Sequence, residues 1–222
     1  LIGNPKVPYN IDLNYYTSGA KLLGYKKLKL ANALFDPTFA KEALASHIYR
    51  HYLPTHQVNV IRLTVNDTYL GAFVNTESIG KQWLNKHFGE KNGTFVKCEP
   101  IAQFGSGDEF VPADLVYEGT DTMDYYESYE IKSDSVDQSW TEFIDFIDVL
   151  NNNPTELETV LNIDRVLWYF AVTTVLPNDD AYNTMVMHNY YMYRTEDGKF
   201  QFIPWDLSET FCGAMIGQLT KI

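Results

Sequence analysis

Long apolar runs, cysteine and clustered positive charge are what this 222-residue chain has least of. Its longest apolar stretch, Val166 to Leu176, falls well short of the ~20 residues that span a bilayer, so no transmembrane segment is expected. Two cysteines, Cys98 and Cys212, exclude a disulfide framework and permit either one bridge or two free buried thiols. Seventeen Lys and Arg against 29 Asp and Glu give a formal net charge of −12. That balance argues against nucleic acid, whose phosphates need a basic face, and suits a basic protein partner better. No Walker-type or GxGxxG phosphate loop is present, because Gly105-Ser106-Gly107 has no glycine or lysine following at the required spacing. There is no Gly-x-Ser-x-Gly elbow, neither cysteine has a nucleophile's context, and the five histidines show no HExxH spacing.

With 45% apolar and 15% aromatic residues the chain is globular, long enough for one large core or two small lobes. Acid is concentrated between Cys98 and Glu130, where Glu99, Asp108, Glu109, Asp114, Glu118, Asp121, Asp124, Glu127 and Glu130 occur without a Lys or Arg. This stretch reads as an elaborated, solvated insertion with no EF-hand spacing. Trp140, Phe143, Ile144, Phe146, Ile147 and Leu150 mark an amphipathic helix ended by Asn151 to Pro154.

The last third carries the chemistry. Ile163, Val166, Leu167, Phe170, Ala171, Thr174 and Val175 recur at three- and four-residue intervals, predicting a helix with most of its surface buried, stopped by Pro177. Tyr190 to Arg194 and Lys199 to Pro204 predict two strands joined by Thr195-Glu196-Asp197-Gly198, whose Asp-Gly favours a tight turn. Asn178-Asp179-Asp180 would then lie beside the hairpin mouth that carries Asn189 and Asp206. One carboxylate to position a hydroxyl, with an amide and a second carboxylate to hold a metal, is the set phosphoryl transfer requires. Asp is equally a turn former, so Asp180 and Asp206 also read as loop carboxylates. Asn189 also reads as a strand-end amide that satisfies backbone groups.

Several blocks in order resemble the CotH-type kinase-like proteins, a family named for a bacterial spore-coat protein. They include Tyr9 to Leu13, Gly24 to Leu30, Asp36 to Leu44, Val65 to Gly71, Phe88-Gly89, Gly93 to Lys97, Tyr129 to Lys132, His188 to Tyr191, Ile203 to Leu207 and Thr210-Phe211. The resemblance implies an α+β, two-lobed atypical protein-kinase fold. Residues 1–77 would form a small β-rich lobe with one helix, and 78–222 a helical lobe with the acidic insertion 98–130 and the catalytic and metal loops 178–210. It further implies ATP with Mg²⁺ or Mn²⁺, Asp180 as the catalytic acid, and Asn189 and Asp206 on the metal. Lys6 would reach the nucleotide phosphates with Glu42 steadying it, and Glu77 would fall at the hinge between lobes.

The expected activity is phosphorylation of Ser or Thr on coat or extracellular proteins, the substrate being basic and Ser/Thr-rich, with the protein itself secreted or at the cell surface. The alternative is a catalytically inactive kinase-like module with a structural or adhesive role. Three departures bear on this choice. The family's Asn-Trp-Asp is Asn178-Asp179-Asp180, which leaves Asp179 as a rival to Asp180; Ser208 stands where another acid is usual; and Cys212 interrupts the family's Thr-Phe-Gly. The chain begins at Leu1 and lacks the arginine-bearing segment the resemblance places before the first strand, so it reads as a processed or incomplete piece. Asn66-Asp67-Thr68 and Asn92-Gly93-Thr94 are glycosylation sequons, about as many as chance gives in an Asn-rich chain.

Overall fold

The structure, a computed structural model, describes residues 6–34, 36–102 and 107–211. Cys212, and with it the question of a pairing with Cys98, lies outside the described residues. The architecture is α+β, with two four-stranded antiparallel sheets and five α-helices among those residues.

The first sheet is built from β1 (Tyr9–Asp12), β2 (Lys27–Ala31), β3 (Val58–Val65) and β4 (Thr68–Thr76) in the order β1-β2-β4-β3. Asn66 and Asp67 join β3 to β4 with φ of 47° and 60°, the paired left-handed conformation of a two-residue hairpin turn that these side chains tolerate. Helix α1 (Lys41–Tyr49) covers this sheet and buries Ala45 and Tyr49. Asp36 organises its start: its carboxylate accepts from Thr38 N (3.0 Å), Thr38 Oγ1 (2.5 Å) and Lys41 N (2.8 Å). Burial alone would raise its pKa, but these hydrogen bonds outweigh burial and hold it below the ordinary value.

After Glu77 to Gly80 the chain enters α2 (Lys81–Phe88), closed by Gly89 at φ 77°. The second sheet follows: β5 (Phe95–Cys98), β6 (Tyr129–Ile131), β7 (Tyr190–Arg194) and β8 (Phe200–Pro204), in the order β6-β5-β7-β8. Between β6 and β7 lie α3 (Val136–Asn152), the short α4 (Leu157–Val160) and α5 (Ile163–Val175). The second half is therefore helical and sheeted at once. Strand β5 pairs with β7 almost a hundred residues later, Cys98 facing Tyr190, and no local periodicity announces such a partner.

This sheet is buried on both faces. Val96, Cys98, Tyr190, Met192, Phe200 and Phe202 point into one apolar cluster with Phe143, Phe146 and Tyr169 of the helices; Phe95, Tyr191, Tyr193 and Ile203 point into another with Trp83 and Leu84 of α2. Residue alternation thus separates two cores rather than core from water, which is why β7 and β8 read as nearly unbroken apolar runs. Gly93 lets the chain pass β7, since a Cβ there would stand 1.9 Å from the Arg194 carbonyl oxygen.

Two expectations change in detail. Helix α5 buries one face, through Val166, Tyr169, Val172 and Thr173, while Leu167 and Val175 are exposed, because the sheet offers it only one surface. The acidic stretch connects neighbouring strands β5 and β6 and is stitched to the core. Ala113 and Leu115 are buried, Tyr190 Oη donates to Ala113 O (2.6 Å), and Leu115 N donates to Tyr129 Oη (2.7 Å). Its acids Asp108, Glu109, Glu118, Asp121, Asp124, Glu127 and Glu130 face outward. Among the described residues no helix is long and apolar enough to cross a membrane.

Candidate phosphoryl-transfer site

Pro177 ends the α5 region, and the next turn is held by its own side chains. Buried Asn178 accepts from Asp180 N at Oδ1 (3.2 Å), and Thr184 Oγ1 donates to Asp179 O (2.9 Å). His188 N donates to Asp180 O (3.2 Å), which brings the start of β7 against the turn. The hairpin mouth is closed by Trp205 N donating to Asn189 O (3.0 Å), so Asn189 and Asp206 leave the sheet side by side. Both have left-handed backbones, φ 58° at Asn189 and φ 44° at Asp206, conformations that Asn and Asp accept at lower cost than other side chains.

Asn189 Nδ2 donates to Asp180 Oδ2 (3.4 Å), and His188 Nε2 lies 3.8 Å from the same oxygen. Asp206 Oδ1 accepts from Ser208 N (3.2 Å), starting the 3₁₀ turn Leu207–Glu209. Asp180, Asn189 and Asp206 therefore converge. Burial first, then the charges of Asp206 and Asp179, push the Asp180 carboxyl up to about 6. Glu209 is also raised, chiefly by burial and then, against the opposing effect of Lys41, by Asp180, Asp206 and Asp179. Burial lowers the His188 pKa against the pull of Glu99 and Asp206.

A cavity of about 320 Å³ opens beside Asp206, lined by Lys29, Glu42, Thr76, Trp205, Ser208 and Glu209 among others. Lys29 projects from β2 into it, its ammonium 4.2 Å from the Trp205 ring centroid. Burial, then Lys97 and Lys27, lower its pKa while Asp206 opposes them. Glu42, buried on α1, accepts from Thr76 Oγ1 (3.0 Å) and lies 3.5 Å from Nε2 of the fully buried His56. The His56 ring in turn packs on Trp205, 5.0 Å between centroids. Among the described residues Lys29 has no carboxylate within ion-pair distance.

Lys6 and Glu77 are placed elsewhere. The Lys6 ammonium donates to the carbonyls of Ala72 and Asn32 and lies over the rings of Phe39 and Phe73, at 4.3 and 4.4 Å. Glu77 accepts from Gln57 N (3.0 Å) and pairs with Lys86 (3.3 Å) in the link between the two sheets. Neither lines the Asp206 cavity.

Lys29 and Glu209 are the residues the sequence reading missed. For Lys29 the signal was period two: Leu28 and Leu30 fall on one face of β2, Lys27 and Lys29 on the other. Glu209 stands one residue beyond the position where Ser208 replaces an acid, and the 3₁₀ turn carries it to the same cavity.

A divalent cation fits this donor set. Asn189 spends its N–H on Asp180 and keeps its oxygen, and Asp206 keeps one carboxylate oxygen beyond its bond to Ser208. Asp179 Oδ2 and Glu209 Oε2 are buried without a hydrogen-bond partner. Among the described residues no three His, Cys, Asp or Glu side chains could by themselves hold a metal. Mg²⁺ commonly takes only one or two protein carboxylates and completes its shell with phosphate and water oxygens.

Fold and site together define an α+β protein whose carboxylate, amide and carboxylate converge beside a lysine-bearing cavity. The chain belongs to the CotH kinase protein family, whose family model matches residues 3–220. It is thus a kinase-like protein, and kinases in general use ATP and a divalent cation. No curated protein matches the chain.

Proposed function

We propose that this chain is an ATP-dependent Ser/Thr protein kinase acting at a cell surface or outside the cell, on coat or extracellular proteins. In this reading residues 1–77 and 78–222 act as two lobes around the Asp206 cavity. Asp180 accepts or orients the proton of the substrate hydroxyl, and its raised pKa still leaves it mostly ionised at neutral pH. Asn189 and Asp206 hold Mg²⁺ or Mn²⁺, which when bound neutralises charge on the phosphates. Lys29 takes the phosphate-binding role that the resemblance gives Lys6, because the Lys6 ammonium is engaged by backbone carbonyls and two rings. Glu209 adds negative charge beside the metal where Ser208 cannot.

The observation that carries the reading is the convergence of three loop-borne groups, the amide Asn189, which donates to Asp180, and the carboxylates Asp180 and Asp206, whose mutual repulsion a cation would relieve. The second reading, an inactive structural or adhesive module, is favoured by Ser208 and by Glu42 bonding Thr76 rather than pairing with Lys29. Phosphate transfer from labelled ATP in Mg²⁺ or Mn²⁺, to the chain itself and to a basic Ser-rich protein, decides between them. Incorporation that falls by roughly a hundredfold or more in Asp206→Ala is the expected result. No incorporation by either protein, together with no ATP-dependent thermal shift, would move the assignment to the inactive module.

A further inference from the structure

A second and larger cavity, about 880 Å³, lies between the β1–β2 connection and α2. Six exposed lysines line it: Lys21, Lys26, Lys27, Lys81, Lys86 and Lys91. They are six of the 17 basic residues in a chain of net charge −12, so this groove reverses the sign of the molecule locally. Its single lining acid, Glu77, is already paired with Lys86. Lys27 pairs with Asp12 (3.7 Å) and Lys81 with the exposed Asp134. Lys21, Lys26 and Lys91 have no carboxylate within ion-pair distance among the described residues.

The groove has a floor and a fixed wall. Leu23, exposed, and Tyr25 provide apolar surface, and Gln82 Nε2 donates to Gly24 O (3.0 Å), tying the lysine-bearing connection to α2. Lys27, on the groove, and Lys29, on the Asp206 cavity, lie two residues apart on the same face of β2, so the two cavities are neighbours along one strand.

We propose that this groove is a docking site for an acidic segment of the protein substrate, rich in Asp and Glu and separate from the phosphate-accepting residue. Like-signed lysines lining one groove repel one another, and a polyanionic chain laid along them relieves that repulsion while its apolar side chains meet Leu23 and Tyr25. The whole-chain charge, the ground for expecting a basic substrate, is not the charge met here. The acceptor faces the carboxylates of the Asp206 cavity; the docking segment faces the lysines. The inference rests on the kinase reading for the identity of the partner as substrate, but its test does not.

The experiment is fluorescence anisotropy of a fluorescein-labelled Glu-rich peptide carrying one Leu, with the wild-type chain at low salt and without nucleotide. A Lys21→Glu, Lys26→Glu, Lys91→Glu variant, checked by thermal melting, should bind at least about tenfold more weakly, and added NaCl should weaken the wild type progressively. A matched Lys-rich peptide, drawn to the acidic remainder of the surface, should bind the triple variant no more weakly than the wild type. Asp206→Ala should bind like wild type, so that loss of kinase activity and loss of docking are separate results. Unchanged affinity in a folded triple variant would overturn the proposal. So would complete displacement of the peptide by metal-free ATP, which would assign these lysines to nucleotide phosphates.

Discussion

The two sheets differ in how deeply they are covered. In the first, β1 and β3 contain only half-buried and exposed residues, and Val60 and Val65 face solvent. In the second, every residue of β8 and four of the five in β7 are buried between two apolar clusters. The site is shared unequally between them: Asn189 and Asp206 stand at the ends of doubly buried strands, whereas Lys29 and Glu42 belong to the thinly covered sheet and its one helix. In the proposed reading, the groups assigned to the metal are fixed by packing, while those assigned to the phosphates sit where the protein deforms more easily.

Truncation tests that difference most directly. Phe202→Ala, which removes contacts to Tyr169, Tyr182 and Tyr190, should cost about 3–5 kcal/mol, against less than about 1 kcal/mol for Val60→Ala, compared by urea unfolding. Similar costs would mean that the first sheet is as tightly integrated as the second. Next in size is Asp206→Asn, which keeps the left-handed backbone and the bond to Ser208 but removes the one formal charge of the two proposed metal ligands. It should abolish most of the Mg·ATP-induced rise in melting temperature and, by removing a charge that opposes ionised Asp180, raise the metal-free melt slightly near neutral pH.

A smaller effect follows from the raised Asp180 carboxyl. A carboxyl with a raised folded pKa binds its proton more tightly folded than unfolded, so its ionisation destabilises the protein above about pH 6, and the penalty fades as pH falls toward the ordinary value of 3.8. Metal-free Asp180→Asn should therefore melt higher than wild type at about pH 7.5 and converge with it near about pH 4. A constant difference across that range would remove Asp180 from the repelling group. Least costly is Thr76→Val, which deletes the hydrogen bond to Glu42 for about 1 kcal/mol and should alter ATP affinity more than Mg²⁺ dependence.

Much of the second sheet's hairpin was legible in the sequence: Tyr190 to Arg194 forms the expected strand, and Phe200–Pro204 begins one residue after its expected start. The Thr195 to Gly198 turn closes with Gly198 at φ 84° and Thr195 N donating to Lys199 O. Helix α5 was readable because its three- and four-residue spacing is local, with Asn162 Oδ1 accepting from Arg165 N at its start. The pairing of β5 with both β6 and β7 was not readable, since those partners are set by tertiary burial. The proximity of Asp180 to Asn189 and Asp206 followed from chain order. That of Lys29 and Glu42 to the same cavity depends on how the first sheet seats Trp205 between Lys29 and His56, which no short-range pattern encodes.

The left-handed backbones at Asn189 and Asp206 bear on how such a protein can change over generations. Only a few residue types occupy those angles comfortably, and glycine is the easiest of them. Of the types that fit, Asn and Asp carry a side-chain oxygen that can bind a cation and glycine carries none. A glycine at either place would leave the hairpin, both cores and the lysine-lined groove standing while removing a side chain proposed to hold the metal. The same geometry that builds the site thus leaves a short mutational route by which a lineage could keep the fold, lose the chemistry and retain the molecule as a binding scaffold.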